Sequence, residues 1–288
     1  MVKRKLSNED ILSLPILYNS GLSSWAIAKR FDTDHSTIIY HLKKLNVDRR
    51  DKSCAAKEGV KAGRIKIKKH KIPSNLRMNI ELSYILGVLA GDGYMDYNNE
   101  RRTHNIGLSA IDKEFVEKFM RILFQFFEIK PTWEFREKRK DKWNPQYITR
   151  LCSKEACDYI NGIGDFKGNV WRIPESIKSS DGGIVCSFLK GFFDSEGEID
   201  RKIGRIGATS ANLGGLKQIG ELLNILGVEY TIIKKKDLRP NTSQKYILRI
   251  HDKRSIKKFY DLVGFTINRK QKILEACLFP RDRDRLTP

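Results

Sequence analysis

The chain is 288 residues long and carries 55 Lys and Arg against 35 Asp and Glu, a formal net charge of +20 with a sequence pI near 9.7. An excess of this size favours a polyanionic partner, because it provides salt-dependent, sequence-independent affinity for phosphates. The sequence has no apolar run long enough for a transmembrane helix, no P-loop and no G-x-G-x-x-G motif, which argues against a membrane protein and against the common nucleotide-binding folds.

Residues 1–48 predict a small all-α DNA-binding domain. Residues 21–24 lead into a helix over 25–31, and residues 33–37 open a second helix over 38–45. The pattern resembles a helix-turn-helix, whose second helix presents polar residues to the major groove. A helical hairpin that serves only for packing is the alternative. The candidate DNA contacts are His35, Ser36, Thr37, His41 and Lys44.

Residues 49–75 predict a basic linker. Residues 1–71 hold 17 Lys and Arg against 7 Asp and Glu, so half of the charge excess precedes residue 72. The linker is rich in Lys, Arg, Gly and Ala, which predicts a segment that is flexible or becomes ordered along the DNA backbone. Such a tether would raise the effective concentration of the first domain at the target of the second.

Two later segments repeat each other. Residues 84–93 read YILGVLAGDG and residues 188–197 read FLKGFFDSEG. Each predicts a helix that ends at a glycine in the left-handed conformation, Gly93 or Gly197. Small residues four positions apart would let the two helices approach backbone to backbone, which is a purely steric effect.

That approach would bring Asp92 and Glu196 together, although they are 104 residues apart in the sequence. Paired carboxylates at helix C-terminal ends repel each other and the helix dipole. A hard divalent cation with oxygen ligands would relieve this repulsion, and Mg²⁺ is the usual choice for phosphate chemistry.

The repeat extends beyond these segments at offsets of about one hundred residues. Each half predicts the order helix, hairpin, helix, hairpin, helix, with strands that alternate apolar and charged residues. We therefore expect an α+β core in two halves, 76–180 and 181–280, followed by a short tail over 281–288.

The two repeated segments resemble the paired LAGLIDADG motifs of single-chain homing endonucleases, with residues 85–93 and 189–197 as the motif cores. The first copy departs from the family pattern at Ala90, where an acid is common, and the second has Glu196 in place of Asp. The resemblance implies two pseudo-twofold αββαββα halves whose antiparallel sheets form a saddle. It also implies a monomeric, sequence-specific, double-strand DNA endonuclease that uses Mg²⁺, with Mn²⁺ as a substitute.

The resemblance further implies cleavage across the minor groove, short 3′ overhangs and a role in the homing of an intron or mobile element. It implies metal ligation by Asp92 and Glu196 and by the backbone carbonyls of Gly91 and Ser195. The family often has a basic residue in the loop occupied here by Lys167 and Lys270, which lie 75 and 74 residues after the respective acids. These lysines are candidates for organising water or stabilising phosphoryl charge.

A polar residue on the strand before the first connecting helix often supports the water network of the family. The second half offers Ser210 there and the first half offers Ala110, which predicts unequal sites for the two strands. The strands of the second hairpins supply candidate DNA contacts, mostly to phosphates. These candidates are Arg136, Lys138, Arg150, Lys234, Lys236 and Arg249.

Two other functions stay open, a maturase that binds intron RNA and a transcription regulator built on a catalytically silent core. Retention of both acids and both lysines argues against the regulator. Intein splicing is disfavoured, because the sequence lacks a starting Cys or Ser and a final His-Asn. Five cysteines without zinc spacing or a signal peptide predict reduced thiols and a cytoplasmic location.

Overall fold

The structure is a computed structural model that describes residues 6–65, 71–137, 144–166, 168–235 and 243–279. The chain divides into two compact units, Met1–Lys69 and His70–Pro288. Within the described residues, no helix is both long enough and apolar enough to span a lipid bilayer.

The first unit is a small helical domain. The predicted helix pair is present, and it packs with a preceding helix that begins at a capping box between Ser7 and Asp10. Buried Leu14, Ile27 and Leu42 belong to its small core, which also contains Leu6, Ala28 and Ile38. The described residues of this unit form α1 (Asn8–Asn19), α2 (Ser24–Arg30), α3 (His35–Lys44) and α4 (Lys52–Lys61).

Helix α4 lies inside the segment predicted as a flexible linker. The Asp51 side chain accepts a hydrogen bond from the Cys54 N–H (2.9 Å) and caps the helix. Arg50 anchors this end of the segment, because it donates to the Leu22 carbonyl, pairs with Glu58 and lies 4.1 Å above the Tyr18 ring. Residues 52–61 therefore form a helix held by tertiary contacts, whereas the sequence predicts a segment that is flexible or becomes ordered along DNA.

The second unit contains the two predicted αββαββα halves. The first half comprises α5 (Ile80–Leu89), β1 (Tyr94–Asn98), β2 (Thr103–Ala110), α6 (Lys113–Phe127), β3 (Thr132–Arg136), β4 (Gln146–Cys152) and α7 (Lys154–Ile163). A turn of 3₁₀ helix (Gly168–Val170) and α8 (Glu175–Lys178) follow it. The second half comprises α9 (Gly182–Glu196), β5 (Gly197–Ile199), β6 (Ile206–Ser210), α10 (Leu213–Ile225), β7 (Thr231–Lys234), β8 (Tyr246–Ile250), α11 (Lys253–Leu262) and α12 (Asn268–Leu278).

Each half builds one antiparallel four-stranded sheet. The strand orders are β1-β2-β4-β3 and β5-β6-β8-β7, so the second sheet repeats the topology of the first. One face of each sheet packs on helices, and a single apolar core continues from one half into the other. The α+β duplicated fold predicted from the sequence is confirmed.

The two repeated helices, α5 and α9, lie side by side at the centre of this unit. Near their N-terminal ends, the Ser83 hydroxyl donates to the Ile184 carbonyl (2.6 Å) and the Ser187 hydroxyl donates to the Ile80 carbonyl (2.7 Å). Midway, a Cβ on Gly87 would lie 2.1 Å from the Phe188 carbonyl oxygen. The backbones therefore approach as closely as the small residues predict.

The predicted left-handed glycine caps are wrong. Helix α5 ends at Leu89, and Gly197 has φ −71°; neither Gly93 nor Gly197 is among the described residues with positive φ. Both positions require glycine for space instead. A Cβ on Gly93 would lie 2.8 Å from the Val88 carbonyl oxygen, and one on Gly197 would lie 2.3 Å from the Phe193 carbonyl oxygen.

Substitution at the helix contact should destabilise the protein. A Cβ on Gly191 would lie 2.4 Å from the Tyr84 carbonyl oxygen, so Gly191→Ala should force the backbones apart and cost about 1–3 kcal/mol or more. Gly162→Ala is the matched control, because its Cβ would meet nothing within 4 Å and alanine favours the α7 helix. Urea denaturation measures both variants, and equal stability of the two would contradict the close contact.

Candidate active site

The two repeated acids meet where α5 and α9 end. Asp92 follows α5 by three residues, and Glu196 is the last residue of α9. A Cβ on Gly91 would lie 2.4 Å from the Ser195 Cβ and 3.3 Å from the Glu196 Cγ. The two acid-bearing segments are thus in contact across the pseudo-twofold axis, as the repeat predicts.

The two carboxyl groups of this pair have raised pKa values. Burial, and then the Asp92 charge, raise the pKa of Glu196 to about 7. Burial also raises the pKa of Asp92, although Lys270 opposes the rise. The Asp92 side chain remains solvent-accessible and Glu196 is half-buried, so protein surrounds both carboxyl groups while leaving access to them.

Lys270 is the predicted basic residue that the structure places near the acid pair. It lies in α12, its side chain is only 7% exposed, and its Nζ donates to the Asp194 carbonyl (2.8 Å) and to the Phe193 carbonyl (3.4 Å). The ammonium therefore binds carbonyls in the last turn of α9, where a cation also counters the helix dipole. Its charge acts on both acids of the pair.

The pair has the donor chemistry of a hard divalent cation. The described residues contain no group of three or more His, Cys, Asp or Glu side chains arranged to hold a metal ion. Two carboxylates with neighbouring backbone carbonyls at Gly91 and Ser195 supply only oxygen, which suits Mg²⁺ or Ca²⁺ with retained waters. The poorly compensated charge of this partly enclosed pair also fits a bound cation.

Lys167 and Ser210 are the remaining predicted residues of the site. Lys167 lies outside the described residues. Ser210 is half-buried at the end of β6, and its hydroxyl accepts a hydrogen bond from the Asn212 N–H (3.1 Å). Its counterpart Ala110 ends β2, so the unequal pair expected from the sequence is present in equivalent positions.

The sheet of the first half carries its predicted arginines on one face. Arg150 and Arg136 share this face with Glu134, which lies 3.4 Å from the Arg150 Nη2 and 3.1 Å from the Arg136 Nη2. The Arg150 Nε also donates to the Tyr94 hydroxyl (3.0 Å). Tyr94 is the cross-strand partner of Gly107. A Cβ on Gly107 would lie 2.5 Å from the phenol ring, so glycine makes room for this contact.

The second sheet places Arg249 in the equivalent position, opposite Gly207 and Thr231. Side chains alternate along a strand, so Lys234 lies on the other face, with Ile232, and Lys235 extends the face of Arg249. Lys235 therefore takes the position that the sequence analysis gave to Lys234. Lys138 and Lys236 lie outside the described residues.

Sequence reasoning missed Lys245, which precedes β8 and whose charge lowers the pKa of Glu196. The available signal was its position two residues before Ile247 and four before Arg249, which puts all three on one face of the sheet by strand alternation.

In the first unit, the predicted contacts all lie on α3. His35 begins the helix and stacks on the exposed Trp25 ring, with centroids 3.9 Å apart. Ser36 and Lys44 are exposed, and Thr37 and His41 are half-buried. Trp25 was not predicted as part of this surface.

A family model described as a LAGLIDADG-like domain matches the chain twice, over residues 79–160 and 184–264. The two matches together span more than half of the sequence and coincide with the two structural halves. This protein therefore belongs to the LAGLIDADG-like domain family.

Curated relatives share a segment with this chain. Glutamine–fructose-6-phosphate aminotransferase of Methanocaldococcus jannaschii is 31% identical over 204 residues, which cover 69% of this chain and 17% of the relative. The replication factor C small subunit of the same archaeon is 30% identical over 203 residues, which cover 68% of this chain and 10% of the relative. An uncharacterised protein of that archaeon is 29% identical over 215 residues, covering 70% of this chain and 73% of the relative.

The chain spans less than a fifth of the first two relatives, and their named activities differ, so neither activity is assigned to it. Among solved structures, I-DmoI in complex with DNA and Ca has a TM-score of 0.49 at 20% identity, covering 68% of this chain and 97% of that one. The homing endonuclease I-WcaI bound to its DNA recognition sequence has a TM-score of 0.46 at 15% identity, covering 77% and 92%.

The raised pKa of Glu196 predicts a pH-dependent stability. The folded protein keeps this proton up to about pH 7, against an ordinary value of 4.5, so ionisation of Glu196 destabilises the fold as pH rises through this window. Glu196→Gln removes that cost and should raise the free energy of unfolding by about 1–3 kcal/mol at pH 8, with little effect at pH 4.5.

Urea denaturation in EDTA at both pH values measures this difference. Glu221→Gln is the control, since Glu221 is exposed on α10. A stability gain from Glu196→Gln that is the same at both pH values would show that the carboxylate charge is not its cause.

Proposed function

We propose that this protein is a metal-dependent, sequence-specific endonuclease of double-stranded DNA. The observation that carries the proposal is the convergence of Asp92 and Glu196 at the ends of two helices in contact, within a LAGLIDADG-like core. The two flanking sheets each present an arginine opposite a glycine, Arg150 and Arg249. The +20 charge of the chain supports a nucleic-acid partner.

The chemistry is hydrolysis of a phosphodiester bond. Asp92 and Glu196, with the carbonyls of Gly91 and Ser195, would hold divalent cations, which would supply a nucleophilic water and charge stabilisation for the reacting oxygens. Mg²⁺ is the proposed cofactor, with Mn²⁺ as a substitute. Glu196 must be ionised to ligate, so site occupancy should increase as pH rises through 7.

Lys270 has a positioning role in this proposal. Its ammonium is held by the Phe193 and Asp194 carbonyls, so it fixes the end of α9 and thereby the place of Glu196. Its charge also favours the ionised carboxylates. In this proposal the two acids bind the metal ions, and Ser210 and Lys167 are candidates for ordering water.

The face of each sheet that lies opposite the helices would hold the DNA backbone. Phosphate contacts are proposed for Arg136, Arg150, Lys235 and Arg249, because these basic side chains share the face opposite the helices. Cleavage across the minor groove with short 3′ overhangs, and homing of an intron or mobile element, follow from the family resemblance. The first unit would add major-groove contacts through α3.

An endonuclease assay tests the function. Purified protein should cut a supercoiled plasmid library of random inserts in Mg²⁺ and give no product in EDTA or Ca²⁺, and sequencing of the ends should reveal one site with short 3′ overhangs. Asp92→Asn and Glu196→Gln should each lower the cleavage rate at least a hundredfold and change DNA affinity less than about threefold, since binding lies mainly on the sheets.

Glu221→Gln is the matched control and should cut at the wild-type rate. Cleavage that survives both Asp92→Asn and Glu196→Gln would contradict the proposed site. Specific DNA binding without cutting would favour a regulator, and preferential binding of structured intron RNA would favour a maturase.

A further inference from the structure

A cavity lies away from the acid pair, on the side of the helix contact where α5 and α9 begin. It has a volume of about 480 Å³ and is lined by the N-terminal parts of both helices, by one face of α6 and by the end of α11 and the residue after it. The lining reaches along α9 as far as Lys190, and it does not include Asp92, Glu196 or Lys270. The cavity is thus separate from the candidate active site.

Three cations converge on this cavity. Lys118 and Arg121 come from α6, and Lys190 comes from α9, against a single carboxylate in the lining, Glu81. Burial, together with repulsion from Lys190 and Arg121, lowers the pKa of Lys118 to about 8, although buried Asp194 opposes the shift. Lys190 and Arg121 therefore lie close enough to Lys118 to repel its positive charge.

Neither lysine is neutralised by a hydrogen-bonded carboxylate. The Lys118 Nζ donates to the Thr266 hydroxyl (2.8 Å), and the Lys190 Nζ donates to the Val263 carbonyl (2.8 Å). An ammonium has three donors, so each keeps hydrogen-bonding capacity for a ligand. Within the described part of the chain, Arg121 is exposed and has no ion-pair partner.

The remaining walls combine apolar side chains with the polar Gln125 and Ser187. Ile80, Ile122, Leu262 and Val263 line the cavity beside the Tyr84 ring. The Tyr84 hydroxyl is itself engaged, because it donates to the buried Asp194 carboxylate (2.7 Å). A ligand that fits these walls needs an anionic end for the cations and an apolar body for the rest.

We infer that this cavity binds a small phosphorylated molecule with an apolar body, of the size of a nucleoside diphosphate. Lysine and arginine donors bind phosphate oxygens through charge-assisted hydrogen bonds. A volume near 480 Å³ lies within the range of small-molecule sites. The site is independent of the DNA-cleaving function proposed above.

Calorimetric titration of the full-length protein in EDTA tests this inference. The probes are inorganic phosphate, pyrophosphate and ADP, and ADP should bind most tightly because it also covers the apolar walls. Lys118→Met and Lys190→Met should each weaken ADP binding about tenfold or more, equivalent to one lost charge-assisted contact. Lys113→Met is the matched control on α6, since Lys113 is exposed and pairs with Glu117 outside the cavity, and it should stay within about twofold of wild type.

A measurement on the unmodified sequence covers the case in which these variants fold poorly. The rate of acetylation of Lys118, followed by mass spectrometry, should fall severalfold on addition of ADP, while the rate for Lys113 stays unchanged. Absence of saturable ADP binding up to roughly 10 mM, equal loss in Lys113→Met, or equal protection of both lysines would overturn the inference.

Discussion

The contact between α5 and α9 is the constraint on which the second unit depends. Glycine at positions 87 and 191 removes the side chains that would separate the helices, and the carbonyl oxygens of Phe188 and Tyr84 occupy that space. Two serines near the helix starts add hydrogen bonds across the contact. Because Gly91 contacts Ser195 and Glu196 where the paired segments finish, each half delivers its acid to one place.

The acid pair is electrostatically costly, and the structure compensates it only in part. Lys270 and Lys245 oppose the raised pKa of Glu196, yet burial and the Asp92 charge still place it near 7. Lys270 is fixed by carbonyls of α9, so its ammonium is held near the pair. A site of this kind gains stability when a divalent cation binds, which links occupancy to the ionisation of Glu196.

Asymmetry enters through a few positions of an otherwise repeated fold. Asp194 in the second motif is buried and bonds to Tyr84 and to the Thr266 N–H, whereas the first motif has Ala90 there. Tyr94 is the cross-strand partner of Gly107 in the first sheet, and Glu198 is that of Gly207 in the second. The two halves therefore present different surfaces on the same backbone frame.

Much of this arrangement is predictable from the sequence, because the repeat and its small residues encode the helix contact directly. The order of elements and the meeting of Asp92 with Glu196 follow from that pattern. The burial of Lys270 and its carbonyl partners depend on how α12 packs, which no local pattern specifies. The face of the sheet that Lys234 occupies depends on strand register. Positions 93 and 197 require glycine because neighbouring backbone atoms leave no room for a Cβ, and a positive φ is not the reason. Helix α4 was missed because its composition is that of a linker, while the Arg50 contacts that hold it are tertiary.

The most direct test of the central claim is anomalous diffraction from crystals of the DNA-bound protein grown with Mn²⁺ above pH 7. We expect anomalous peaks in contact with carboxylate oxygens of both Asp92 and Glu196, and their loss in Glu196→Gln. Ordered Mn²⁺ bound to DNA elsewhere, with no peak between the two acids at saturating metal, would contradict it.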